Sequence, residues 1–209
     1  MYRHRRSSAI SRLLLVSFSS LVLYGCASLG KKDCLSGDWG SIGFDDGADG
    51  KVSADRLASH AKACAKHGVV LDEALYQTGY DDGLKTYCTT ENGYSVGSEF
   101  EDRSFNRSGY NNVCPVDLRF DFLTGYVNGL KFTLDTVSRE LTEERAQLDR
   151  DRTAFLILIA VSSSKAEDME QRIEETEESI NENESTMNSL IKEIDKWVQV
   201  DPELEKLLR

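Results

Sequence analysis

Proline is nearly absent from this sequence: Pro115 and Pro202 are the two in 209 residues. Long helices are therefore permitted almost everywhere, and nothing interrupts one between Val116 and Val200. No apolar run reaches the roughly 20 residues that a membrane span needs. Positive charge is scarce as well, with 25 Lys and Arg against 36 Asp and Glu and a formal charge of −11. Such a chain does not bind nucleic acid through its overall field. Glycine is unevenly spread: 13 of the 15 precede residue 115, and none follows Gly129. Cysteine stops at Cys114. The chain thus divides into a part rich in glycine, tyrosine and cysteine and a charged part built for helices. Nucleophile elbow, phosphate loop and zinc signature are all missing. The expectation is a protein that is not an enzyme and carries no cofactor, with an unrecognised envelope enzyme as a remote alternative.

What is present begins with a leader. Arg3, Arg5, Arg6 and Arg12 precede an apolar segment, Leu13 to Leu23, broken only by serines. A basic start and a short apolar core form an export signal. The segment ends Leu23-Tyr24-Gly25-Cys26. That resembles the bacterial lipobox, although Tyr24 is bulkier than the pattern favours. The resemblance implies a signal peptide over residues 1–25 and lipidation of Cys26, with palmitate among the acyl chains. Ala27 follows the cysteine where Asp would favour inner-membrane retention. The expected location is the inner leaflet of the outer membrane, facing the periplasm, with residues 26–33 as a tether. Loss of the leader arginines takes the formal charge from −11 to about −15.

Cys34, Cys64, Cys88 and Cys114 remain. An even count in an oxidising compartment predicts two disulfides, with three possible connectivities. Helices are expected from about Asp38 to Asp46, from Ala54 to His67 with Ser53 as cap and Gly68 as stop, and from about Asp72 to Cys88. In an antiparallel hairpin the first helix begins where the second ends, which sets Cys34 beside Cys64. Cys88 ends one helix and Cys114 precedes the next. Hence Cys34–Cys64 and Cys88–Cys114, each closing a loop worth about 3.5 kcal/mol in the chain-entropy model. His60, Cys64 and His67 share a helix face, which raises a soft-metal site. No fourth ligand is evident, and the plainer expectation is two surface histidines beside a disulfide.

One pattern, glycine, an aromatic, two residues and glycine, recurs four times: Gly43 to Gly47, Gly79 to Gly83, Gly93 to Gly97 and Gly125 to Gly129. Glycines four apart share a helix face, and each costs about 1 kcal/mol against alanine there. Close helix–helix approach would offset that cost. No alternating strand pattern flanks the repeats, so helices are expected rather than hairpins, with grooves floored by glycine and walled by Trp39, Tyr76, Tyr80 and Tyr126.

The order Cys34, Asp38-Trp39 with Gly43, His60 with Cys64 and His67-Gly68, Tyr76 with Gly79 and Gly83, Tyr87-Cys88, Glu91-Asn92-Gly93 and Tyr110 to Pro115 resembles a bacterial lipoprotein family. That family is catalogued as domain of unknown function 2799. The resemblance covers about residues 30–140. It implies an envelope lipoprotein with a coiled tail and brings no activity.

Residues Asp45 to Arg56 come close to a calcium-binding EF-hand loop. Asp45, Asp49, Gly50 and Val52 fit positions 1, 5, 6 and 8, but Gly47 stands at position 3 and Arg56 where a bidentate Glu is required. The expected structure is an acidic turn between helices, with a calcium-binding module as the rival function. The adjacent Asp-Asp pairs point about 100° apart on a helix and are expected on solvated faces.

Beyond the glycines, Ala166, Ile173, Ile180, Met187 and Ile194 alternate with Met169, Thr176, Asn183, Leu190 and Trp197 in a heptad. Phe155 to Val161 is apolar on every side and is therefore expected to be buried. Ser162 to Lys165 breaks the pattern, and Ser164 with Glu167 forms a capping box. Two helices follow, about 116–161 and 165–199, folded as a hairpin; one unbroken, dimerising helix is the alternative. Residues 162–209 carry 14 acids against 6 bases, a solvated face or a docking site for a basic partner.

The fold class expected is all-α. A disulfide-stapled helical domain over 34–130 precedes a coiled-coil hairpin over 131–200 and a short tail over 201–209. The expected function is a non-catalytic lipoprotein, in the membrane through Cys26, that meets an unknown envelope protein or a second copy through its coiled tail.

Overall fold

The computed structural model describes residues 29–100 and 110–208. The leader and Cys26 lie outside the described residues. Among those residues the secondary structure is wholly helical. The elements are α1 (Lys31–Ser36), α2 (Trp39–Ala48), α3 (Ser53–Ala65), α4 (Glu73–Tyr87), α5 (Thr90–Ser98), α6 (Val116–Leu158), α7 (Ser163–Val200) and a 3₁₀ turn (Pro202–Leu208). Lys31 to Asp33, expected within the tether, are already helical.

Local signals account for most boundaries. Asp38, Asp72 and Thr89 cap α2, α4 and α5 by accepting from the backbone N–H of Ser41, Leu75 and Asn92. The cap expected at Ser53 is absent: Val52 holds that position, and the Ser53 hydroxyl donates to Gln77 on α4. Nor does a side chain cap α7; Ser162 is the cap residue, two positions before the serine expected. Gly68 has φ +70°, and Val69 N–H closes on the Cys64 carbonyl, which stops α3 as the sequence requires.

All four glycine repeats are helical, and they pair in two crossings. Gly43 and Gly47 of α2 rest on the Tyr76 and Tyr80 carbonyls of α4, and Gly79 and Gly83 answer against Gly40 and Phe44. Gly93 and Gly97 of α5 rest likewise on Phe122 and Tyr126 of α6, answered by Gly125 and Gly129 against Thr90 and Tyr94. Ascending numbers meet ascending numbers, so both pairs run parallel. At all eight glycines a Cβ would come far inside the 3.0 Å that real Cβ atoms keep from backbone. Backbone contact of this kind offsets the conformational cost of glycine.

Disulfides Cys34–Cys64 and Cys88–Cys114 staple each crossing near its start, with Cα–Cα distances of 5.3 and 5.7 Å. These are the pairs that the hairpin argument selects.

Helices α6 and α7 form the long hairpin, antiparallel because Arg145 meets Glu184 and Arg152 meets Glu177. The chain breaks at residues 159–162, which excludes the single unbroken helix. Every heptad position of α7 from Ala166 to Trp197 is buried or half-buried. One expectation fails in large part. Leu156, Ile157, Ile159 and Val161 are 67, 65, 56 and 72 % exposed, although Phe155 and Leu158 are half-buried. The exposed residues lie at the tip of the hairpin, on the sides that α7 leaves uncovered.

Candidate functional site

Two places concentrate chemistry: the base formed by the crossings, and the hairpin that leaves it.

In the base, Asp46 of α2 is 6 % exposed and sits among three partners from other elements. Arg56 Nε donates to Oδ1 at 2.8 Å. His60 Nε2 lies 2.7 Å from Oδ2, and the Tyr76 hydroxyl donates to the same oxygen at 3.0 Å. Arg56 and His60 are one turn apart on α3, so a single helix face delivers both. His60 and Tyr76 are fully buried, with rings edge-on at 6.0 Å. Burial raises the Tyr76 hydroxyl pKa above its ordinary value, and the Asp46 bond and charge raise it further. This cluster corrects two expectations. Asp46 is not on a solvated face, and His60 is not a surface histidine. A buried carboxylate needs such compensation, and removing one partner leaves its charge less compensated.

The candidate metal ligands are not brought together. Asp45 lies exposed within α2, Asp49 ends that helix, and His67 is exposed past the end of α3. Residues 45–56 are the end of one helix, a turn and the start of the next rather than one loop. Gly50 makes that turn at φ +63° with the Tyr87 ring packed against it. Among the described residues, no group of three or more His, Cys, Asp or Glu could hold a metal ion.

Nor are the expected grooves open among the described residues. Their glycine floors are occupied by the partner helix, and Trp39, Tyr76, Tyr80 and Tyr126 are buried. What the aromatics build instead is a spine. Tyr87 stacks on Phe122 at 5.1 Å, Phe122 meets Tyr110 at 4.5 Å, and Tyr110 meets Trp197 at 4.9 Å. Trp197 comes from the far end of α7. Its indole N–H donates to Glu193 at 2.7 Å, and the Tyr126 hydroxyl donates to the same Glu193 oxygen at 3.2 Å. Leu204 of the 3₁₀ turn is fully buried, and Lys131 bonds the Leu207 carbonyl. The C-terminal end of the chain is thus part of the base.

The hairpin differs. Between its buried apolar layers at Leu141, Leu148 and Ile180 the helices meet through polar groups. Glu144 accepts from Ser179 at 2.6 Å and Asn183 at 3.1 Å, and Arg172 clasps the buried Asp151 at 3.0 and 3.1 Å. No described helix is long and apolar enough to cross a membrane.

The Asp46 cluster had a signal in the sequence. Once Cys34–Cys64 turns that face of α3 inward, His60 and Arg56, one and two turns earlier, face the same way. Nothing comparable marked Glu193 as the acceptor for Trp197 and Tyr126, which lies 67 residues from Tyr126.

No curated protein and no solved structure matches the chain. Residues 38–131 match the family model described as Protein of unknown function (DUF2799), a span that takes in both glycine crossings and ends where the hairpin leaves the base.

Proposed function

We propose that this protein is a non-catalytic lipoprotein of a Gram-negative-type envelope, anchored at the outer membrane through lipid on Cys26 and acting by contact. The leader and the Leu23 to Cys26 segment support the anchor. The observation that carries the contact role is how the hairpin is rooted. Both of its ends, α6 at Gly125 and Gly129 and α7 at Trp197, are locked into a stapled base, while the heptad seam is used up within the chain. A helix whose seam is filled does not recruit another along that seam. The hairpin therefore serves as a stiff arm whose working part is its far end.

Metabolic labelling with a fatty acid tests the anchor. The wild-type chain takes up label and Cys26→Ala does not; equal labelling contradicts the reading. Simple truncation near Leu141 is the wrong test of the arm, because it strips Trp197 and Leu204 out of the base. Removing matched heptads from both arms shortens the hairpin and leaves that core intact.

A further inference from the structure

We infer that the hairpin tip inserts end-on into a phospholipid bilayer, an assignment that rests on reading the hairpin as an arm with a working end. Four observations carry it. From residue 153 to 164 there is no charged side chain, the longest such stretch after Val137. Leu156, Ile157, Ile159 and Val161 in that stretch are more than half exposed. They also spread over more than a narrow stripe, since Leu156 and Ile157 are about 100° apart on α6 and the other two follow in the turn, while Phe155 and Leu158 are half-buried. A protein groove takes a narrow stripe; so broad an apolar end suits a medium that surrounds it.

The third observation is the flanking charge. The first charged residue on each side is a cation, Arg152 before the stretch and Lys165 after it. Lys165 reaches headgroup phosphates while the apolar residues enter the acyl boundary, and Arg152 does so by exchanging its exposed pair with Glu177 for a phosphate. The arms behind them are acidic, with Glu167, Asp168, Glu170, Glu174 and Glu175 within the first turns of α7. An anionic surface repels those arms and admits the tip, which selects an upright approach over a flat one.

Size and reach complete the argument. Four side chains expose roughly a few hundred Å², short of the about 800 Å² per partner of a standard protein interface, so a tip-to-tip second copy is poorly served. Lipid requires no such matched area. Insertion is shallow, because no described helix can span a bilayer. At 43 residues α6 is about 65 Å long, and its tip lies at the opposite end from Cys114. The tip is thus a contact separate from any lipid on Cys26.

A tryptophan at Ile157 reads the insertion directly. Full-length Ile157→Trp is mixed with vesicles of phosphatidylethanolamine and phosphatidylglycerol, plain or brominated along the acyl chains, in the wild-type and Cys26→Ala backgrounds. Vesicles should shift the added emission to the blue, and brominated lipid should quench it at least about twofold. Leu156→Asp with Ile159→Asp in the same chain should abolish both effects, and Ala146→Trp, midway along the arm, should show neither. Absence of quenching at Ile157→Trp overturns the proposal. So does equal quenching at Ala146→Trp, which means the hairpin lies flat, and so does a blue shift that needs only protein concentration, which means a second copy covers the tip. Failure of fatty-acid labelling at Cys26 leaves the tip signal in place, so the two readings fail separately.

Discussion

The base and the hairpin are both helix pairs, yet they are held by opposite means. In the base, glycine removes the side chain and backbone touches backbone; two disulfides and an aromatic spine close the structure around that contact. In the hairpin, side chains keep the helices apart, and much of the seam is carboxylate, hydroxyl, amide and guanidinium. Backbone contact tolerates no added atom, whereas exposed ion pairs each contribute little. The same secondary structure therefore gives one region that resists change and one that accepts it, and the accepting region ends in the exposed tip.

The comparison breaks most sharply at a crossing glycine. Gly79→Ala gains about 1 kcal/mol of helix propensity. Against that, its Cβ meets the Gly40 carbonyl of α2 and forces two backbones apart. A net loss of about 4 kcal/mol is expected, measured by thermal or denaturant unfolding followed by circular dichroism. A neutral or stabilising result would mean that the helices are not in backbone contact.

Asp46→Ala comes next. It removes the carboxylate shared by Arg56, His60 and Tyr76, and about 3 kcal/mol should be lost in the same assay. A loss no larger than for an exposed aspartate would place the carboxylate in solvent.

Alkali separates the regions without mutation. Burial pushes the Tyr87 hydroxyl up to about 12, helped by Tyr110 and Tyr80, and raises Tyr76, Tyr80, Tyr110 and Tyr126 as well. A raised folded-state pKa means stability that is whole below the unfolded value, about 10, and is lost as pH climbs toward the folded one. No tyrosine follows Tyr126. Unfolding between pH 10 and 12 should therefore begin in the base, with tyrosinate absorbance rising as the near-ultraviolet signal of Trp39 and Trp197 falls. Full tyrosinate formation at pH 10 with structure retained would contradict the burial.

The smallest effect belongs to the arm. Arg152→Ala removes an ion pair to Glu177 in which both side chains are largely exposed, 55 and 44 %. The midpoint of unfolding should move by no more than about 0.5 kcal/mol. A loss of several kcal/mol would make the hairpin seam as exacting as the crossings.

Periodicity and spacing made much of this legible. The glycines four apart announced close approach, and the heptad from Ala166 to Trp197 announced the seam that α6 fills. The glycine pattern could not say whether the space was open or occupied, because a groove and a helix contact ask for the same residues. That is why Trp39, Tyr76, Tyr80 and Tyr126 were expected to line grooves and are buried instead. Phe155 to Val161 misled for a related reason: an all-round apolar pattern reports what solvent disfavours, and burial also requires something placed to cover it. The Glu193 contacts depend on where α7 ends relative to Tyr126, a distance set by the whole hairpin and by no local motif.

Hydrogen exchange read by peptide mass spectrometry tests the contrast most directly. Amides of residues 122–130 lie in a crossing and should exchange only when the whole molecule opens. Those of residues 150–166, in the outer hairpin and tip, should exchange through local opening, at least about a hundredfold faster at neutral pH. Equal protection along α6, or faster exchange at 122–130 than at the tip, would contradict the account.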